Sequence, residues 1–244
     1  MEKTIIDDLQ LHANEEKARI LSGFFKTGKG EYGEGDKFIG VTVPLIREVA
    51  RRHRSSASTK CITALLSSPI HEHRMCALLI LTEQFKAARK DDSTRKRIVE
   101  YYLDHTAAIN NWDLVDLSAP KIIGEWMLTH PMPQTLDAMS QSSNMWVQRI
   151  AIVSTMTLIR HNMFADTLRL ADRYLTHPHQ LMHKATGWML REIGKKDMDV
   201  LTDYLRHNAH LMPRTALRYA IERMPEDQRK SWLAIKRSKP TGRQ

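Results

Sequence analysis

Helical pattern follows helical pattern along this chain with scarcely a break, and few folds accept such a sequence. Leu, Ala, Met, Arg, Lys and Glu recur at helical spacing, while runs rich in Val, Thr and aromatics are missing. Glycine and proline number only 10 and 9 among 244 residues. The pattern predicts one amphipathic helix from Ile5 to Phe25 and a second from Val43 to His53, with Pro44 in its first turn. A strongly apolar helix spans His73 to Phe85. Ser118-Ala119-Pro120 reads as a Ser-capped start leading into Lys121 to Leu128, and Pro178 and Pro213 mark later starts. Connections are short, as in helices stacked as antiparallel neighbours.

A loose period underlies this order. Arg74, Trp112, Arg149 and Trp188 are each expected near the middle of a helix, at separations of 38, 37 and 39 residues. A helix pair with its turns needs about that length, and HEAT and armadillo units run roughly 40 to 47. We therefore expect an all-α chain: an α-solenoid, or superhelix, of HEAT-like helical repeats, forming a single domain over residues 1–237 with a basic tail at 238–244. Such a stack buries its core between repeats and presents one concave face, and what lines that face indicates function.

Charge sharpens the expectation. The net charge is +9, and between Leu205 and Gln244 ten Lys or Arg stand against Glu222, Glu226 and Asp227, so the last forty residues carry seven of the nine. A concave basic face would attract a polyanion, and phosphate backbones are the commonest one. A solubilising tail accounts equally well for the final KRSKPTGRQ. No apolar run approaches the roughly eighteen residues of a membrane span. The opening MEKTIIDDLQ lacks the basic-then-apolar pattern of a signal peptide. Cys61 and Cys76 sit in apolar helical surroundings and read as buried free thiols. A cytoplasmic protein is expected.

Two motif matches fail on context. Gly28-x-Gly30-x-x-Gly33 has the form of a dinucleotide fingerprint, yet a helix rather than a strand precedes it, and Glu31 and Glu34 would repel phosphate. Gly23 to Lys29 spells G-x-x-x-x-G-K, but Gly30 replaces the magnesium-binding hydroxyl. A mobile loop over residues 26–35 is the better reading. His177, His179 and His183 lack a metal-site partner at suitable spacing, and His71 and His73, at i and i+2, point to different sides of a helix. These histidines read as solvated or capping; no metal and no cofactor is expected.

The informative constellation starts at Asn111-Trp112-Asp113-Leu114-Val115-Asp116. On a helix Trp112 and Asp116, four apart, share a face. One repeat later comes Met145-Trp146-Val147-Gln148-Arg149. One further, Lys184, Trp188 and Arg191 fall at i, i+4 and i+7, with Gly187 permitting close backbone approach. Singly, a helical Trp is usually core and an Arg usually solvated. Three stripes in register describe a surface for nucleic acid.

NNWDLVDLSAP, NMWVQRIAI and KATGWMLRE are similar to signature segments of the AlkD-type DNA alkylation repair family, and Phe38-Ile39-Gly40-Val41-Thr42-Val43-Pro44 with Arg47 resembles its N-terminal landmark. The likeness runs from about residue 10 to residue 235. It implies a DNA glycosylase that hydrolyses the N-glycosidic bond of cationic N3- or N7-alkylated purines in duplex DNA, without deep base flipping. It puts Asp116 at the family's catalytic carboxylate, Trp112 and Trp188 at its two indoles and Arg149 at its phosphate-binding arginine. Lys184, Arg191, Arg47 and Arg214 are further candidates for phosphate contact. Asn111 stands where the best-known members carry a second aromatic, and the Gly-rich loop before Phe38 is longer than the family's usual connection. The partner implied is double-stranded DNA carrying alkylated purines, met by a monomer. A non-catalytic HEAT-repeat DNA-binding protein and a protein-protein scaffold are the competing readings; Asp116 between two indoles favours the enzyme.

Overall fold

The computed structural model describes residues 2–238, with side-chain surroundings from residue 4 onward. Lys239 and Arg243, and all of the expected tail beyond Ser238, lie outside the described residues. Two compact units, Met1–Ile122 and Ile123–Gln244, each have their own core.

The first unit contains α1 (Glu2–Gln10), α2 (Glu15–Phe24), α3 (Val43–His53), α4 (Thr59–Leu66), α5 (His71–Ala87), α6 (Asp92–Asp104) and α7 (Trp112–Ala119). Helix α5 is its axis: α3, α4, α6 and α7 all pack on it. Its side chains are buried on every side from His71 to Thr82, which is why the apolar stretch MCALLIL shows no polar face. The expected single helix from Ile5 to Phe25 is two helices. Asn14 accepts a hydrogen bond from the Lys17 amide at 2.9 Å, so an N-cap starts α2 afresh where apolar spacing alone would run on.

A strap from Asp36 to Thr42 ties α2 to α5. Lys37 donates its amide to Pro69 at 3.1 Å and accepts from the His71 amide at 2.8 Å. The Asn14 amide bonds to the Ile39 carbonyl at 2.8 Å. Gly40 is required where the strap passes under α2: its φ is +80°, and a Cβ there would lie 2.0 Å from the Asn14 carbonyl oxygen. Within the segment over residues 26–35, the same glutamates that argued against phosphate bond to the loop's own backbone. Glu31 accepts from the Gly28 amide at 3.0 Å and Glu34 from the Gly30 amide at 2.7 Å.

The expected helix start at Ser118 is also different. Helix α7 runs on through a wider π turn over Pro120–Gly124 into α8 (Glu125–Met127). Ser118 caps nothing; its hydroxyl donates to the Leu114 carbonyl at 2.6 Å and lies 2.8 Å from the Tyr102 hydroxyl. Pro120 has no amide hydrogen to give the carbonyl four residues back, that of Asp116, so the α register widens there.

The second unit continues with α9 (Pro133–Ser140), α10 (Met145–Arg160), α11 (Ala165–Arg173), α12 (Gln180–Lys196), α13 (Met198–Asn208), α14 (Arg214–Ala220) and α15 (Glu226–Ala234). Helix α10 is buried from Arg149 to Ile159 and packs on α9, α11 and α12, while α12 packs on α13 and α14. Fully buried Ile150, Ile152 and Val153 each contribute about 1.5–3 kcal/mol of apolar burial. Gly187 lets α14 approach α12: a Cβ there would stand 2.4 Å from the Ala216 carbonyl oxygen. The close approach read at Gly187 is thus made by the protein's own backbone.

Among the described residues the fold is all-α, with helix pairs in repeat-like succession and a single bridge, Lys37 to Ile70, in place of any strand. Cys61 and Cys76 are buried, and among the described residues neither forms a disulfide. No helix is long and apolar enough to cross a membrane.

Candidate active site

The first turn of α7 carries the site. Asn111 caps the helix, its side chain accepting from the Trp112 amide at 2.9 Å and donating to Asp36 at 3.2 Å. Trp112 is therefore the first residue of α7 and not mid-helix, as its period had suggested. One turn on, Asp116 shares its face. Both are half-buried, and both line a cleft of about 590 Å³ that lies wholly within the first unit. Phe24, Phe25, Phe38, Val43 and Met75 are among the apolar residues of its wall, and Asp113 and Asp116 among the fewer polar ones. Phe25 stacks on Trp112 at 5.3 Å between ring centroids and 21° between planes. Phe24 meets the same indole edge-on at 6.1 Å and is 61% exposed, so the aromatic wall reaches solvent.

Behind this wall lies a charged network that sequence reasoning missed. Asp36, buried, accepts from Arg74 at 2.6 Å and from Asn110 and Asn111 at 3.2 Å, and faces His71 Nδ1 at 2.9 Å. The other imidazole nitrogen, Nε2, faces Asp113 at 2.8 Å. Burial opposes the charge on His71, but the bonds to Asp113 and Asp36 overcome it and raise its pKa to about 9. Burial likewise works against the Asp36 carboxylate, and His71, Arg74 and Asn111 together still hold it below its usual range. Burial and the Arg74 charge keep His73 neutral toward lower pH. Glu72, also buried, accepts from the amides of Ile39, Gly40 and Val41 at 3.1, 2.8 and 3.3 Å. The reading of these histidines as solvated or capping is thereby corrected for His71 and His73. Their spacing was judged within one helix, whereas the partners of His71 come from the strap and from α7 and that of His73, Ser68, from the turn before α5. The available signal was HEHR at the head of a helix with no polar face, whose polar groups must be satisfied from inside.

In the second unit α12 bears Lys184, Trp188 and Arg191, all half-buried, at the expected stripe positions. The Trp188 indole donates to Glu192 at 3.2 Å, and Arg191 pairs with Glu222 and, at 3.5 Å, with Glu192. His179 caps this helix, accepting from the Leu181 amide at 3.2 Å. Arg149 is 5% exposed and donates from Nη1 to the Leu181 carbonyl at 2.8 Å, holding the first turn of α12. Arg214 donates to the carbonyls of Leu233 and Ile235 at the end of α15. Arg47, on α3 in the first unit, is half-buried and does not line the cleft. Among the described residues no group of three His, Cys, Asp or Glu is arranged to hold a metal ion.

Fold and site define a helical-repeat protein with an aromatic cleft and a carboxylate set in its wall. Residues 5–224 match the family described as "DNA alkylation repair enzyme", and the chain belongs to that family. Its fold is similar to the solved structure of "Predicted DNA alkylation repair enzyme from Enterococcus faecalis", with a TM-score of 0.70 and 17% identity over 89% of this chain and 99% of that one. No curated protein matches the chain in sequence.

Proposed function

We propose that this DNA alkylation repair protein is a glycosylase that hydrolyses the N-glycosidic bond of cationic N3- or N7-alkylated purines in duplex DNA without drawing the base into a deep pocket. The observation that carries the reading is Asp116 one helical turn beyond Trp112, both half-buried on the wall of an aromatic cleft. Alkylation at N3 or N7 leaves the base positively charged and its bond to the sugar weakened, so no acid is needed to protonate the leaving group. What remains is to stabilise an oxocarbenium-like sugar and to orient water. A carboxylate in a partly desolvated setting does both. The face of Trp112 attracts the same cation through its quadrupole. Trp188 and Lys184, from α12, are the second unit's contribution to DNA contact, with Arg191 beside them. Arg149 supports them by holding the turn from which α12 begins.

Incubation with duplex DNA carrying 7-methylguanine should release free base. Asp116→Asn should lower single-turnover release on the order of 100-fold or more while leaving DNA affinity within a few-fold of wild type. Binding without release above the protein-free control would leave a non-catalytic DNA-binding protein in its place.

A further inference from the structure

We propose that His71 is a positioning residue for α7: clamped between Asp36 and Asp113, its imidazolium fixes the helix's first turn and, through Phe25, the plane of Trp112. This inference rests on the glycosylase reading for its effect on rate, and on geometry alone for the clamp.

Both ring nitrogens lie within hydrogen-bond distance of carboxylate oxygens, at 2.9 Å to Asp36 and 2.8 Å to Asp113. An ionised carboxylate only accepts, so each nitrogen carries a hydrogen and the ring is a cation. A neutral imidazole would set a lone pair against one of the two carboxylates. The charges also balance. Asp36 and Asp113 face His71 and Arg74, while the Glu72 carboxylate is turned to the strap amides. His73 leans away on Ser68 at 2.9 Å. The cleft lining adds a further acid on α7, Asp116, and a cation on α2, Lys17.

The ring is also part of the aromatic wall. It stacks on Phe38 at 4.7 Å and lies 5.1 Å from Phe25, which in turn stacks on Trp112. Asp113 is the residue after Trp112, and its second oxygen accepts from the Leu114 amide at 2.8 Å. One cation thus holds the α7 backbone and the indole that starts it. Loss of the proton releases Asp113 and lets both shift, and Asp116 moves with the helix that carries it. A residue that merely filled space would not tie the rate to its own protonation.

The test follows single-turnover base release from 7-methylguanine DNA between pH 6.5 and 9.5 with the full chain. It runs beside DNA affinity, Trp112 fluorescence (assigned by difference from Trp112→Phe) and the 15N shifts of the His71 ring. Two protonated ring nitrogens at pH 7.5 are expected. Wild-type release should fall about fourfold by pH 9.5, as a ring titrating near 9 loses its proton. His71→Gln should release base about tenfold more slowly at pH 7.5, with a flat pH profile and affinity within twofold. Should that variant not fold, Asp113→Asn serves: it removes one carboxylate and should move the fall in rate to lower pH. A single protonated ring nitrogen at pH 7.5, or a His71→Gln protein with wild-type rate and profile, overturns the proposal. If wild type releases no base at all, the glycosylase reading fails by itself. The 15N shifts and a pH-dependent Trp112 emission then still carry the clamp, and their absence removes it.

Discussion

The head of α5 and the body of α10 both run through the middle of a unit, but they fill it by opposite means. In α5 the first four residues, His71, Glu72, His73 and Arg74, are at most 5% exposed, and His71, Glu72 and Arg74 each bond to partners outside the helix. In α10 the residues from Ile150 to Ile159 are buried too, yet they are apolar or carry hydroxyls, two of which fold back on the helix itself. Ser154 donates to the Ile150 carbonyl at 2.7 Å and Thr155 to that of Ile152 at 2.6 Å. Apolar packing fails in small steps, because each lost methylene costs its own increment. A buried charge network fails as a block, because removing one member strands the others without compensation. The first unit is therefore built to hold one arrangement of the strap, α5 and α7, which is the arrangement on which Trp112 and Asp116 depend.

The sharpest way to break this contrast is to remove one buried charge and compare it with one buried methyl. Glu72→Ala strands three strap amides at 2.8–3.3 Å and should cost about 3–5 kcal/mol in urea unfolding, given about 1–3 kcal/mol for each unsatisfied buried group. Ile152→Val should cost about 0.5–1.5 kcal/mol. Equal losses would mean that the α5 network contributes no more than ordinary packing.

A somewhat smaller effect should come from alkali. His71 has its pKa raised on folding from 6.5 to about 9, so its stabilising contribution is complete below 6.5 and is lost as pH rises through 9. Between pH 7.5 and 9 the loss should run at up to about 1.4 kcal/mol per pH unit, slackening as the ring half-titrates at 9, or about 1.6 kcal/mol over the interval. The histidines whose pKa burial lowers, His73, His177 and His179, are neutral in this window in both states. The Cys76 thiol, pushed up by burial from 9 to about 12, stays protonated in the folded chain but ionises in the unfolded one, which removes about 0.4 kcal/mol more by pH 9. Urea midpoints that hold steady across the window would show the ring to be neutral already at pH 7.5.

How much of this could be read beforehand depended on how local each cause is. Helix α3 was legible residue for residue, because Pro44 marks its first turn and the apolar spacing is strong. The Trp112–Asp116 face was legible too, since it is a matter of spacing along one helix. The 37–39-residue period was not: Trp112 opens α7 and Arg74 lies in the first turn of α5, so the marks do not share a mid-helix position. The break before α2 was not legible, because a single cap at Asn14 overrides a continuous apolar pattern. The burial of Arg149 was not legible either: the same sequence suits a cation that reaches solvent and one that ends on the Leu181 carbonyl. The His71 clamp was the least legible, because its partners stand 35 and 42 residues away on either side and nothing in the spacing of HEHR announces them.

The smallest effect is expected where charge lies at the surface of the second unit. Arg191 on α12 pairs with Glu222, whose side chain is 48% exposed, and with Glu192. Solvent screens such pairs, and they contribute about 0–1 kcal/mol. Arg191→Ala should therefore shift urea unfolding by less than about 1 kcal/mol. If Arg191 lies against phosphate, the same variant should lower the slope of log affinity for duplex DNA against log salt by about 0.9, one counterion's share. The two readouts separate the roles cleanly. A stability loss as large as that of Glu72→Ala would make the α12 charges structural and end the contrast between the units. An unchanged salt slope would take Arg191 off the DNA-binding surface and leave Lys184 as the cation on that stripe to test next.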